Sequence, residues 1–398
     1  MEKQQTWTKP HHRTVLAVLR PFLEPYVRWR YNITFDPFPE HDDRPYLVVF
    51  NHQTGFDQFF PFLVFRGQPL YYLASEDIFS MGWVSDIIRW ITGAIPIKKQ
   101  TTDLQAIKNC IRVAREGGSI ALAPEGHRTF HGKPVYMKPG IASLAKKLGL
   151  PLVIFRIEGG YGVQPRWSDV VRRGKMHCYV HRVLEPEEMK AMSNEALCDL
   201  IQKELYVDEA KVTGSYRHKK NAEFLERVIY ICPWCGLSEF ESKGDIIQCQ
   251  MCSRKIRHLD TKELEGVDFP FPHRFVSDWY EFQNDYVNQL DPMTLTDTPV
   301  YRDTVRVSLV HPEKYKEVLK KNAELHLYGD RIHLDGKDYP FSEIAITLLG
   351  KNKLNIYTGS DILQLKGCKR FNGLKYLNFY HRYKNVTTGD HHGKFLGL

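Results

Sequence analysis

The chain has 398 residues, 42% of them hydrophobic, a formal net charge of +8 and an isoelectric point near 8.9. This composition excludes a fibrous or largely disordered protein, and the length allows two or three domains with proper cores. The positive balance points to an anionic partner: a membrane surface, an acidic carrier protein, a phosphorylated small molecule or nucleic acid. No uninterrupted apolar run approaches the roughly 18 residues of a membrane-spanning helix. The run from Phe59 to Phe65 contains Pro61 and stops at Arg66. The first residues, MEKQQTWTKPHHR, lack the pattern of a secretory signal, and four of the eight cysteines form two close pairs while the rest are scattered. These features predict a protein of the reducing cytoplasm.

In chain order, residues 1–33 predict an amphipathic helix interrupted near Pro21 and Pro25, with Leu16, Leu19, Phe22, Leu23, Tyr26 and Val27 directed at an apolar surface. That surface is a protein core or a membrane interface that the arginines Arg20, Arg28 and Arg30 would complement. Residues 34–207 alternate strand and helix signals. Strands are expected at Tyr46 to Phe50, Leu70 to Ala74, Gly93 to Ile97, Ser119 to Ala123, Leu152 to Ile157 and Lys175 to Val183. Helices are expected from Gln58, around Trp83 to Ile91, over Asp103 to Glu116 with Leu104, Ile107, Ile111 and Ala114 on one face, over Pro139 to Leu148, and from Pro186 to Glu204. This order predicts an α/β domain with a mainly parallel sheet and chemistry at the strand ends.

Residues 208–225 are polar and basic and predict a linker. Within residues 226–262, Cys232 and Cys235 are followed after thirteen residues by Cys249 and Cys252. Two CxxC turns at this spacing predict a zinc ribbon, in which four thiolates close a tetrahedral Zn²⁺ site, leaving a structural metal with no open position. Residues 263–293 predict a helical connector, helical over Val276 to Leu290. Residues 294–386 alternate like strands around tight turns and end in a helix over Phe371 to Tyr383, a β-rich, pleckstrin-homology-like domain. Residues 387–398 form a tail.

The stretch VVFNHQTGFD, Val48 to Asp57, delivers a histidine and an aspartate to the end of a buried strand. A carboxylate holding one ring nitrogen leaves the other to take a proton from a hydroxyl. It is followed by GAIPIKK (Gly93 to Lys99), ALAPEGHR (Ala121 to Arg128) and LPLVIFRI (Leu150 to Ile157). These four blocks, in this order, resemble the glycerolipid acyltransferase family that includes 1-acylglycerol-3-phosphate O-acyltransferase, over roughly the first half of the chain.

The resemblance implies an α/β acyltransferase domain that moves a fatty acyl group from acyl-CoA or acyl-acyl carrier protein to lysophosphatidic acid or a related lysophospholipid. His52 would be the general base and Asp57 its orienting partner. Glu125 and Gly126 match the family's Glu-Gly pair and Arg128 its phosphate-associated arginine, while Lys99, beside Lys98, stands where the family has arginine. His127 replaces a threonine, and Thr54 replaces the more frequent serine. No catalytic cofactor is implied. The expected location is the cytoplasmic membrane face, as a peripheral protein. A second class is a non-catalytic adaptor using the ribbon. In the ribbon, Lys243, Arg254, Lys255 and Arg257 are partly balanced by Glu239, Glu241 and Asp245, so nucleic acid is not the expected partner.

Overall fold

The computed structural model describes residues 6–39, 41–75, 78–79, 82–97, 103–134, 137, 139–311, 315–359 and 361–389. The N-terminal half runs α1 (Pro10–Tyr31), β1 (Ile33–Phe35), β2 (Leu47–Phe50), α2 (Phe59–Val64), β3 (Leu70–Ser75), α3 (Trp83–Thr92), β4 (Ile95–Ile97), α4 (Leu104–Arg115) and β5 (Ser119–Leu122). It continues with α5 (Gly140–Leu148), β6 (Leu152–Glu158), α6 (Gly160–Val163), β7 (Met176–Leu184), α7 (Pro186–Lys190) and α8 (Asn194–Leu205). Seven strands form one sheet in the order β1-β7-β6-β2-β5-β3-β4. All neighbours are parallel except β6 and β7, so β1 and β7 run against the other five.

Strand β2 is central, between β5 and β6, and all four of its residues are buried. A strand covered on both faces needs a continuous apolar run, which LVVF supplies. Leu47 and Val49 pack into a core with Cys110 and Val113 of α4, Ala142 of α5 and Ile201 of α8. Val48 and Phe50 face the opposite core, with Val27 and Tyr31 of α1 and Phe60 and Phe65 around α2. The sheet is therefore sandwiched between two helical layers, and the C-terminal end of β2 emerges between them.

Three expectations need correction. Helix α1 runs through Pro21 and Pro25 without interruption. Tertiary contacts hold it: Val27 and Tyr31 sit in the core, and the Arg20 guanidinium donates to the carbonyls of Phe62, Leu63 and Phe65. On α4 the buried face is Ala106, Cys110 and Val113, while Leu104 is 65% exposed, so the packing stripe is rotated from the expected one. The helix expected over Pro186 to Glu204 is two helices, because Ser193 accepts from the Ala196 N–H and starts α8 afresh.

The second half contains β8 (Ile231–Cys232), β9 (Gly236–Leu237), β10 (Phe240–Lys243), β11 (Ile246–Cys249), β12 (Lys255–His258), β13 (Leu264–Gly266) and α9 (Val276–Gln289). Strands β10 to β13 form a four-stranded antiparallel sheet, and β8 pairs with β9. Then come β14 (Tyr301–Val310), β15 (Lys316–Leu327), β16 (Arg331–Leu334), β17 (Lys337–Pro340), β18 (Ala345–Leu349), β19 (Lys353–Tyr357), β20 (Ile362–Gly367) and α10 (Leu374–Thr388). The last seven strands make an antiparallel sheet in the order β17-β16-β15-β14-β20-β19-β18, an open half-barrel whose edges are β17 and β18. Helix α10 packs Leu374, Leu377, Phe379 and Tyr380 into a core that also holds Ile231, Trp279 and Leu325. Phe130 and Trp167 of the N-terminal half belong to this same core. Tyr216, within residues 208–225, is buried in the core of the N-terminal half.

Candidate active site

Where β2 ends, Asn51 turns inward and bonds the backbone of β6 twice. Its Nδ2 donates to the Ile157 carbonyl and its Oδ1 accepts from the Ile157 N–H, both at 2.8 Å. This pair replaces two ladder bonds and fixes the direction in which His52 leaves the sheet. Asp57 is fully buried, while the His52 side chain remains 26% exposed. His52 Nδ1 lies 2.8 Å from Asp57 Oδ2. The Gln53 N–H also donates to Asp57, and Thr54 donates both its N–H (2.9 Å) and its hydroxyl (2.6 Å) to the same carboxylate. Surrounded by donors, Asp57 acts as an acceptor throughout, so the imidazole presents N–H at Nδ1 and a lone pair at Nε2.

The loop after β5 lies against this turn. Glu125 Oε1 accepts from the His52 N–H at 3.1 Å, and the His52 carbonyl accepts from the Thr129 N–H at 3.0 Å. Gly126 has φ +69°, a left-handed conformation that strains any residue with a Cβ, which accounts for glycine after Glu125. Arg128 is the cation beside the pair. Burial lowers its pKa, and the nearby Asp57 and Tyr31 act in the opposite direction. A Cβ at Gly55 would come within 3.9 Å of the Arg128 guanidinium, which places that guanidinium over the His52–Asp57 turn. The structure thus brings together His52, Asp57, Glu125, Gly126 and Arg128. Lys98 and Lys99 lie outside the described residues. His127 is buried in the same loop.

Three supporting residues had no signature in the sequence. Gln53 Oε1 accepts from the Tyr161 N–H at 3.1 Å, tying the turn to α6. Glu209 lies behind α6, fully buried, with Oε1 accepting from the Gly159 N–H at 2.8 Å and Oε2 without a hydrogen-bond partner. Burial raises its pKa to about 7, offset in part by Lys262, whose ammonium donates to the Glu209 carbonyl. Arg166, also buried, donates to the Arg128 carbonyl at 3.0 Å. Gln53 lies within the His52–Asp57 stretch but in no recognised pattern, and Glu209 and Arg166 reach the site only through folding.

A separate cluster joins Cys232, Cys235, Cys249 and Cys252. Their four sulfurs lie within 4.8 Å of one another, with Cys232 and Cys252 at 3.8 Å. A tetrahedron with metal–sulfur bonds of about 2.3 Å has edges of about 3.8 Å, so these residues fit a four-thiolate metal site. The first CxxC links β8 to β9 and the second links β11 to β12, both within the second half of the chain.

Residues 31–158 match the family model described as Acyltransferase. This part of the chain is similar to the Acyltransferase family. The match spans β1 to β6 and contains the His52–Asp57 turn and the Glu125–Arg128 loop. Among curated proteins, the chain is similar to a chloroplastic 1-acyl-sn-glycerol-3-phosphate acyltransferase of Arabidopsis thaliana, 25% identical over 47% of this chain and 52% of the relative. Similar proteins of the same description are found in Brassica napus (25% identical over 39% of this chain and 45% of the relative) and Chlamydomonas reinhardtii (27% over 46% and 52%). The chain spans about half the length of these relatives. The crystal structure of the 1-acyl-sn-glycerophosphate acyltransferase from Thermotoga maritima aligns at TM-score 0.42 and 22% identity, covering 50% of this chain and 79% of that one.

Proposed function

We propose that the protein transfers a fatty acyl group from acyl-CoA or acyl-acyl carrier protein to the free hydroxyl of 1-acylglycerol-3-phosphate, giving phosphatidic acid. The observation that carries this reading is the 2.8 Å His52–Asp57 pair with Arg128 beside it, inside a domain similar to the Acyltransferase family. His52 Nε2 takes the proton of the acceptor hydroxyl as its oxygen attacks the thioester carbonyl. Asp57 holds the ring and stabilises the imidazolium. When the tetrahedral intermediate collapses, the C–S bond breaks and the leaving thiolate takes the proton back from His52. No covalent acyl-enzyme is required. Arg128 supplies the positive charge for the acceptor phosphate, and the family resemblance gives Lys99, beside Lys98, the same role.

The four-cysteine cluster would hold Zn²⁺ as a structural ion, since four thiolates leave no position for water or substrate. For membrane contact, the supporting feature is a patch on two adjoining helices. Val18, Leu19, Phe22, Tyr26 and Trp29 of α1 and Trp83, Ile87 and Trp90 of α3 are all exposed, with Phe22 at 76% and Trp29 at 77%. No described helix is long and apolar enough to cross a membrane. Contact would therefore be peripheral, with the aromatic side chains at headgroup depth on the cytoplasmic face.

The test is to incubate the zinc-loaded protein and liposomes with labelled acyl-CoA and acyl-acyl carrier protein, lysophosphatidic acid and competing lysolipids, with His52→Ala alongside. His52-dependent phosphatidic acid is the expected product. Absence of turnover with every combination would refute the proposal.

A further inference from the structure

We infer that Arg166 is a positioning residue for the phosphate end of the site, a strut through which the C-terminal half-barrel holds the loop carrying Arg128. The inference rests on the acyltransferase reading above for its catalytic consequence, though not for its geometry. The Arg166 guanidinium is buried, and no carboxylate pairs with it among the described residues. It donates from one terminal nitrogen to the Arg128 carbonyl at 3.0 Å and from Nε to the Gly350 carbonyl at 3.2 Å, and it lies 4.0 Å above the Phe130 ring. Gly350 begins the turn between β18 and β19, so one side chain joins the Arg128 loop to a turn 184 positions beyond Arg166 itself.

A buried cation without a counter-ion is costly, and folds keep one where its donors have fixed work. Here both acceptors are carbonyls whose positions set the geometry of a loop. Beside the strut, Lys351 donates to the Ser168 carbonyl and pairs with Asp169 at 2.9 Å, which latches the hairpin to the segment that carries Arg166. Three residues after Arg128, His131 stacks on Tyr280 of α9, ring centroids 4.3 Å apart and planes 3° from parallel. The loop is thus held at two points by elements that lie beyond the part of the chain matching the family model. A carbonyl held at Arg128 limits where its guanidinium can reach, and a displaced phosphate-binding cation weakens acceptor binding without touching the reacting atoms.

The test uses the full chain carrying Arg166→Met or Arg166→Lys. In hydrogen exchange, Arg166→Met is expected to speed exchange in residues 125–134 and 345–357 together, with the remainder of the chain unchanged. Exchange unchanged in those two segments, or raised uniformly across the chain, overturns the strut. In turnover, Arg166→Met should raise the KM for lysophosphatidic acid about tenfold or more and leave kcat within about twofold, with Arg166→Lys recovering part of the loss. A monoacylglycerol acceptor, which has no phosphate, should be affected far less. Equal losses with both acceptors, or a fall in kcat alone, overturn the positioning role. If the wild-type protein turns over neither acceptor, the acyltransferase reading fails, and the exchange experiment still decides whether Arg166 joins the two segments.

Discussion

Replacing Glu209 with glutamine should make the protein's stability less sensitive to pH. The substitution keeps an oxygen for the Gly159 N–H and removes a buried carboxyl whose pKa is raised from 4.5 to about 7, chiefly by burial. Between these values the folded chain holds a proton that the unfolded chain has released. The contribution is therefore fully present below pH 4.5, falls as pH rises, and is lost above about 7. A difference of about 2.5 units corresponds to about 3 kcal/mol. With an unfolding entropy of about 2 cal/mol/K per residue, a chain of this length would lose about 4 °C in Tm. Calorimetry of both proteins between about pH 5 and pH 8 checks this, with the wild type expected to fall relative to Glu209→Gln across the window. Parallel curves would show that Glu209 does not titrate there and would refute the reasoning.

Asp57→Asn should keep the fold and lower kcat by roughly 10²–10⁴-fold, because an amide can hold the wrong tautomer of His52; steady-state kinetics with lysophosphatidic acid would show it. Metal analysis should find about one zinc per chain, and Cys249→Ser should abolish it with a lowered melting temperature, since Cys249 is buried in the core shared with α9 and α10. The double variant Phe22→Ser, Trp29→Ser should weaken vesicle binding roughly a hundredfold in a sedimentation assay, at about 1.5 kcal/mol for each side chain, with little change in thermal stability because both are exposed.

The parts legible in the sequence were those carried by local pattern. The apolar run of β2, the alternation of strands and helices, and the Glu-Gly turn each follow from residue types over a few positions. The two CxxC pairs did the same for the cysteine cluster. The strand β17, KDYP, carries little signal in the sequence because it has only one strongly β-prone residue and is an edge that needs little burial. The face of α4 was misassigned because Leu104 lies at its first turn, outside the sheet's cover, and the stripe that packs is made of small residues. Least legible were the contacts that cross the chain. Arg166 with Gly350, Lys262 with Glu209 and His131 with Tyr280 depend on how two halves meet, and no periodicity within either half encodes that meeting.

The shared core has a consequence for synthesis. Phe130 and Trp167 are made early, yet the core they belong to extends to Tyr380. Synthesis must therefore pass Tyr380 before that core is complete. Until then the nascent first half presents two large side chains that chaperones and proteases recognise. A product terminated before Tyr380 would leave both side chains without part of that core.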